Sequence, residues 1–150
     1  MMVFLLLFLL VASCVLIHGA GMVAGLVLLN ASLRRLDQRF SPMGAGWLLT
    51  RIVFGLLLLH LTQILVWAAV YQWEGCFADF GTAFYYSTTS YSTVGYGDVI
   101  PSAKWRTMGA VEAVIGILMF GWSTGALFTC VNRVQSAFMK DYRNRQRHPD

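Results

Sequence analysis

Three long stretches without charged side chains restrict what this 150-residue chain can fold into. Residues 1–29 and 52–73 contain no Asp, Glu, Lys or Arg, and residues 107–132 contain only Glu112. Each stretch is longer than the ~20 apolar residues with which an α-helix crosses the hydrocarbon core of a bilayer. Apolar residues make up 57% of the chain and charged residues only 12%, about half the charged share of a soluble domain. The composition excludes a soluble enzyme and a nucleic-acid binder, and it predicts an all-α membrane protein with three transmembrane helices.

The distribution of charge predicts the orientation of these helices. Residues 30–46 carry three Arg against one Asp, and residues 133–150 carry five Lys or Arg against two Asp. Residues 74–106 carry three acidic and two basic side chains. Short cytoplasmic loops are enriched in Lys and Arg, so we expect the 30–46 linker and the C-terminal tail in the cytoplasm and residues 74–106 outside. Three crossings then place the N-terminus outside. No positive charge precedes the first span, which favours a retained anchor over a cleaved signal peptide.

The linker also has the pattern of an amphipathic helix. Leu33, Leu36 and Phe40 are three and four residues apart, with Arg side chains beside them, and Ser41-Pro42 follows. This spacing predicts a short helix on the membrane surface. Basic residues near anionic headgroups contribute about 1 kcal/mol each, so anionic lipids are an expected partner. The alternative is that these charges only fix topology.

Between the second and third spans lies a short uncharged run that cannot cross a bilayer by itself. Phe80–Ser90 is aromatic and follows Asp79, a good helix N-cap. An apolar run of this length between two spans is typical of a re-entrant segment. A hydroxyl-rich and then glycine-rich sequence follows it. Non-helical backbone at membrane depth is tolerated only where protein buries it or where it lines a water-filled path, so the sequence predicts a pore loop.

The pore loop contains the run Thr93-Val94-Gly95-Tyr96-Gly97-Asp98, which is the signature filter of potassium channels. With the flanking spans in the same order, the chain resembles the pore domain of the potassium channel superfamily. The resemblance covers residues 47–132: an outer helix at 47–73, a pore helix at 79–91, the filter at 93–98 and an inner helix at 105–132. The first helix, residues 1–29, lies outside this shared unit, as do the linker at 30–46 and the tail at 133–150.

The chemistry of the filter run agrees with this resemblance. A potassium ion that enters a narrow pore sheds water, and backbone carbonyls turned to one axis replace its oxygen shell. Turning successive carbonyls the same way needs alternating left- and right-handed backbone, which Gly95 and Gly97 adopt at least cost. We expect the ion to be bound at Thr93, Val94, Gly95 and Tyr96. The side chains of Val94 and Tyr96 should point away from the axis, with the Tyr96 ring against the pore helix. A ring of carbonyls needs several strands, and the family uses four, so a homotetramer is expected.

The resemblance also implies supporting residues. Asp98 should stabilise the outer end of the filter. Thr89 stands where some relatives have a Glu that pairs with the filter Asp, so that acid pair cannot form here. Glu112 and Gly116 match a Glu-x-x-x-Gly pattern of inner helices: Glu112 should lie behind the filter, bonded to hydroxyls such as those of Thr88 or Thr89, and Gly116 should be the gating hinge. Gly121 and Gly125 either widen the inner cavity or pack against a neighbouring helix.

Together these features predict a potassium-selective channel in the cell membrane, which passes K⁺ passively and needs no cofactor. The alternative is a non-conducting or regulatory membrane subunit with the same fold. Each subunit has three transmembrane helices, a re-entrant pore helix and a filter loop. His60 lies mid-span, where an ionisable side chain is a functional suspect; a hydrogen bond to a neighbouring helix is the favoured interpretation.

Overall fold

Four α-helices make up most of the part of the chain that the structure describes. The computed structural model describes residues 2–36 and 42–147. Helices α1, α2, α3 and α4 comprise Met2–Leu36, Pro42–Trp73, Phe80–Tyr91 and Arg106–Arg147, with a 3₁₀ turn at Ala103–Trp105 before α4. Three of them contain segments long and apolar enough to cross a membrane: Val3–Leu33, Met43–Trp73 and Ala103–Lys140. The prediction of a multi-pass, all-α membrane protein with three spanning helices is confirmed.

The long helices extend beyond their predicted limits. α1 continues through Leu36, so Leu33 and Leu36 belong to the first helix and not to a separate surface helix. The rest of that predicted surface helix, residues 37–40, lies outside the described residues, as does Ser41. Pro42 begins α2 and does not merely end the linker, because the fixed φ of proline suits the first position of a helix. α4 runs to Arg147, since residues 133–147 are rich in good helix formers.

The short helix α3 lies between α2 and α4, and α1 packs on the other side of the same two helices. Large side chains fill these contacts: Trp67 and Tyr71 of α2, Tyr91 of α3 and Met108 of α4 are all fully buried. The Trp67 indole N–H lies 3.2 Å from the buried Cys14 sulfur of α1. A second, smaller cluster joins Leu29, Leu48 and Val134 further along the helices. α1 is therefore part of the packed unit that holds α3 in place.

Much of the remaining apolar surface is open in the single chain. Exposed large side chains occur on every long helix, including Phe4, Phe8, Leu57, Phe54 and Ile117. Apolar patches of this extent mark contact with lipid or with another protein chain. In a membrane protein both kinds of contact are expected.

Candidate functional site: the loop between α3 and α4

Asp79 fixes the start of α3. Its Oδ1 accepts a hydrogen bond from the backbone N–H of Thr82 at 2.9 Å, and its Oδ2 accepts from the Thr82 hydroxyl at 2.7 Å. These bonds hold the pKa of Asp79 below its usual value, so the carboxyl group is ionised at neutral pH. A negative charge at this position also matches the positive end of the helix dipole. The prediction that Asp79 is the N-cap of this helix is therefore confirmed.

The filter segment turns back on the end of α3. The N–H of Thr93 donates to the carbonyl of Ser90 at 2.9 Å, and the N–H of Gly95 donates to the carbonyl of Thr89 at 3.0 Å. The N–H groups of these two filter residues are therefore directed at their own pore helix. The Thr89 side chain bonds to the Tyr86 carbonyl within α3, so Thr89 contacts the filter through its backbone carbonyl.

The backbone of the filter segment alternates in hand. Thr93, Gly95 and Gly97 have positive φ angles of 63°, 51° and 76°. Gly95 and Gly97 were predicted to take this conformation, and Thr93 was not. Positive φ is uncommon for a residue with a Cβ, because the Cβ then crowds the backbone. Thr93 is the only residue other than glycine with positive φ in the part of the chain described, and such outliers concentrate at functional sites.

Two side chains of the filter segment lie open in the single chain. Val94 is 51% exposed and Tyr96 is 72% exposed. The Tyr96 ring is thus mostly uncovered by its own chain, and its packing against a pore helix stays a prediction for the assembled protein.

Asp98 has a partner that the sequence analysis missed. The phenol of Tyr85, on α3, donates a hydrogen bond of 2.7 Å to Oδ2 of Asp98. This bond raises the pKa of Tyr85 above its ordinary value, so the phenol stays protonated and remains a donor at neutral pH. The available signal was the aromatic content of Phe80–Ser90, which was interpreted only as a membrane-buried run. Tyr85 ties Asp98 to the first half of α3.

Glu112 lies fully buried behind α3, with different partners from those predicted. Its Oε1 is 2.5 Å from the hydroxyl of Ser87, and its Oε2 accepts from the phenol of Tyr71 at 2.8 Å. Thr88 does not bond to Glu112, because its hydroxyl donates to the Phe84 carbonyl one turn earlier in α3. Ser87 faces α4, and it also contacts the carbonyl of Ile64 on α2 at 3.0 Å. The carboxyl group thus joins α2, α3 and α4 at one point.

Two glycines of α4 are explained by close approach to α3. A Cβ at Gly116 would overlap the carbonyl oxygen of Tyr91, the last residue of α3. A Cβ at Gly109 would overlap the hydroxyl of Tyr86. At Gly121 and Gly125, in contrast, a Cβ would meet no described atom within 4 Å. Gly116, the predicted gating hinge, therefore has a packing role at the end of the pore helix, and α4 is helical through it.

Comparison with known proteins identifies the group to which this arrangement belongs. The family model described as "Ion channel" matches residues 59–133, half of the chain. The Voltage-gated potassium channel Kch of Escherichia coli (strain K12) is 34% identical over 98 residues, which are 63% of this chain and 22% of that protein. The chain thus spans about a fifth of the length of that relative. No solved structure matches. The matched segment contains the end of α2, all of α3, the filter loop and most of α4, and the chain belongs to this family of ion channels, which are not enzymes.

Proposed function

We propose that this protein is a potassium-selective channel in which four subunits surround one carbonyl-lined pore. The observation that carries the proposal is the alternation of positive φ at Thr93, Gly95 and Gly97. Alternating hand turns successive carbonyl groups to the same side of a strand, which is the arrangement that replaces the hydration shell of K⁺. The ion would be bound by carbonyls between Thr93 and Tyr96, with the Thr93 hydroxyl at the inner end.

The exposure of Val94 and Tyr96 supports assembly into an oligomer. Their side chains leave the filter strand on a side that their own subunit does not cover. One strand cannot enclose an ion, whereas rotation about an axis places equivalent strands around it and equivalent neighbours beside each Tyr96. The homologous channel family uses four such strands, and four is the number proposed here.

The direction of α3 favours a cation at the inner end of the filter. α3 ends at Tyr91, and its last carbonyls precede the filter directly. The C-terminal end of a helix carries a partial negative charge of about half an electron. Four such ends around one axis would stabilise a cation before it enters the filter.

The second candidate function is a non-conducting or regulatory subunit with the same fold. The conformation of Thr93 argues against it, because a non-glycine residue in the left-handed region costs on the order of 1–3 kcal/mol. Strain of this kind is retained where function requires the geometry. A subunit without a conducting pore gains nothing from it.

Orientation is proposed from the distribution of charge. The filter side, residues 74–106, would face outward and the C-terminal end of α4 the cytoplasm. Cys76 can be used to test which side of the membrane residues 74–106 face, since its thiol is partly exposed in the loop after α2. Burial raises the pKa of the Cys76 thiol, and the thiolate is the reactive form. An impermeant maleimide added outside intact cells should label wild type but not Cys76→Ser. The labelling of wild type should become faster as the pH rises. Labelling that occurs only after lysis would mean that residues 74–106 face the cytoplasm.

The function is tested by potassium flux from liposomes that contain the purified full chain. Wild type should release K⁺, and Gly97→Ala should abolish or strongly reduce the release, because a Cβ is strained at a φ of 76°. Gly75→Ala is a matched control, since Gly75 has a φ of 66° in the turn after α2, away from the filter. Flux that is lost only in Gly97→Ala supports the channel, whereas absence of flux from wild type would favour the non-conducting subunit.

A further inference from the structure

Five buried polar side chains form a closed ring of hydrogen bonds in the centre of the helix bundle. They are contributed by all four α-helices: His18 from α1, His60 and Gln63 from α2, Tyr91 from α3 and Ser123 from α4. Each is at most 6% exposed. This hydrogen-bond ring lies apart from the bonds that Asp98 and Glu112 make. Polar groups in a membrane interior are costly, so a set of five that is fully paired calls for a functional explanation.

The contacts run around the ring without a gap. They are Tyr91 Oη to Gln63 Oε1 at 2.7 Å, Gln63 Nε2 to His18 Nδ1 at 2.8 Å, His18 Nε2 to Ser123 Oγ at 3.3 Å, Ser123 Oγ to His60 Nε2 at 2.9 Å, and His60 Nδ1 to Tyr91 Oη at 3.1 Å. Each side chain therefore contacts two others. A closed set of this kind restricts where every hydrogen can lie.

The orientation of Gln63 fixes the direction of all five bonds. Tyr91 gives its one hydroxyl hydrogen to Gln63 Oε1, so its oxygen must accept from Nδ1–H of His60. A neutral imidazole with a hydrogen on Nδ1 accepts at Nε2. Nε2 of His60 therefore accepts from Ser123, whose oxygen in turn accepts from Nε2–H of His18. Nδ1 of His18 is left as the acceptor for the Gln63 amide.

Five contacts are thus served by five hydrogens when both imidazoles are neutral. The two imidazoles are then opposite tautomers, with the hydrogen on Nδ1 of His60 and on Nε2 of His18. A proton added to either imidazole turns its acceptor nitrogen into a donor. The ring would then hold six hydrogens for five contacts, so one hydrogen must turn out of the ring. With a proton on Nε2 of His60, for example, the Ser123 oxygen would accept from both imidazoles and its own hydrogen would leave the ring. One extra proton therefore changes the pattern of bonds.

The ring acts on the filter through Tyr91. Tyr91 is the last residue of α3, and two residues separate it from Val94 of the filter. Its carbonyl lies against Gly116 of α4, and its ring packs edge-on to Phe120 at 5.6 Å. Its hydroxyl is held by His60 and Gln63. The ring therefore sets where the pore helix ends and the filter begins.

We propose that His18 and His60 are positioning residues for the filter, and that the ring they close keeps this pattern of bonds only while both are neutral, so that acid reduces selective potassium conduction. The proposal rests on the proposed function for its effect on flux but not for the ring itself. It names a role for α1, which lies outside the region that matches the channel family.

Other groups near the ring bear on its protonation. Phe120 and Trp122 of α4 cover the faces of the imidazoles, with ring centroids 4.3 Å from His60 and 5.2 Å from His18. The two imidazoles are themselves 5.4 Å apart, so charging one opposes charging the other. Cys14 of α1 and Glu112 of α4 interact electrostatically with Tyr91 of α3. Tyr71 of α2 is bonded to Glu112.

The first test is nitrogen NMR of the full chain in liposomes, labelled at histidine. The chain has three histidines, so spectra of His18→Gln and His60→Gln assign the signals. The ring predicts two neutral imidazoles of opposite tautomer at neutral pH, with the hydrogen on Nδ1 in His60. The reverse pair of tautomers would keep the ring with Gln63 turned over. Two identical tautomers, or a charged imidazole, would overturn it whether or not the protein conducts.

The second test is the pH profile of K⁺ and Na⁺ flux. Burial disfavours the charged form of both imidazoles, so the effect should appear below the range in which exposed histidine titrates. Between about pH 6 and about pH 4, wild type should lose selectivity by at least about threefold. The double variant His18→Gln/His60→Gln leaves no titratable imidazole in the ring, so its K⁺/Na⁺ flux ratio should not change over this range, whatever its value at neutral pH. Tyr91→Phe opens the ring and should be poorly selective at every pH. Thr62→Val is the matched control, because the Thr62 hydroxyl bonds only to the Leu58 carbonyl of its own helix.

The outcomes separate this proposal from the channel assignment. If wild type conducts K⁺ selectively at neutral pH and responds to acid like the double glutamine variant, the ring does not control the filter. If Tyr91→Phe remains as selective as Thr62→Val, Tyr91 does not transmit the effect. Absence of selective flux from wild type at neutral pH would contradict the proposed function instead, and the NMR result would still decide whether the ring exists.

Discussion

The phenol of Tyr85 lies 2.7 Å from Oδ2 of Asp98, across the loop that connects the pore helix to the outer end of the filter. The two residues are thirteen positions apart in the sequence. One is on a rigid helix, and the other follows directly after Gly97. The bond therefore anchors residues 93–98 at Asp98, whereas backbone bonds from Thr93 and Gly95 to α3 hold the other end.

Loss of this anchor should loosen the filter. Tyr85→Phe removes the donor and keeps the ring, so we expect a higher Na⁺/K⁺ permeability ratio, with a smaller effect than that of Gly97→Ala. Because the bond raises the pKa of Tyr85, the phenol donates below its ordinary pKa of about 10, and the bond is lost as the pH rises through the raised value. The difference between wild type and Tyr85→Phe should therefore disappear only in strong alkali.

A double-mutant cycle with Asp98→Asn provides the control for that measurement. If the two side chains act through their mutual bond, the double variant should be no worse than the more damaging single variant. Additive effects would mean that Tyr85 and Asp98 influence selectivity independently.

The contact of Tyr71 with Glu112 should contribute to stability and not to ion selection. Both residues are fully buried, and Tyr71→Phe leaves the Oε2 atom of Glu112 without this donor. An unsatisfied buried acceptor costs about 1–3 kcal/mol, so we expect a lower thermal midpoint in detergent and an unchanged permeability ratio. Tyr142→Phe, at an exposed position near the end of α4, should leave the midpoint unchanged. Equal midpoints for both variants would contradict the role assigned to Tyr71.

A substitution at Gly116 can show whether this glycine serves close packing against α3 or hinge motion of α4. Gly116→Ala places a methyl group on the Tyr91 carbonyl, and backbone cannot move aside there without shifting α3. Overpacking of this kind costs about 1–3 kcal/mol, so we expect reduced assembly and stability even when no gating is measured. Gly121→Ala adds the same methyl one and a half turns later, where no described atom lies within 4 Å. A Gly116→Ala protein of wild-type stability with altered opening would support the hinge instead.

The features that could be predicted from the sequence are those that depend on interactions between residues close together in the chain. Span length, the Asp79 cap and the glycines at 95 and 97 depend on neighbouring residues, and each could be predicted from the printed order. The ends of α1 and α4 were placed too early, because loss of hydrophobicity was taken for loss of helix. The partners of Glu112 depend on which face of α3 meets α4. Ser87 and Thr88 are adjacent in sequence but lie about 100° apart around the helix, and only Ser87 reaches Glu112. The ring that contains His18 and Ser123 joins residues more than a hundred positions apart, which no local pattern indicates.

We expect quaternary ammonium ions added outside to block the proposed pore only weakly, because the residue expected at its outer entrance is Ile100. Ile100 lies two residues beyond Asp98 and is 62% exposed. An aromatic ring at such a position attracts a cation through its quadrupole, by ~0.5–2 kcal/mol for each contact, and isoleucine has none. External tetraethylammonium should block the native protein poorly, and Ile100→Tyr should strengthen block at least tenfold, equivalent to about 1.4 kcal/mol. An unchanged concentration–block curve would show that Ile100 does not line the entrance.

Reversal potentials under bi-ionic conditions test the central claim most directly. With K⁺ on one side of a planar bilayer and Na⁺ on the other, current through the purified wild-type protein should reverse close to the potassium equilibrium potential, because carbonyls turned by the backbone at Thr93, Gly95 and Gly97 replace the water of K⁺. Reversal near zero, with comparable Na⁺ and K⁺ currents through the intact protein, would contradict the assignment of this loop as a potassium filter.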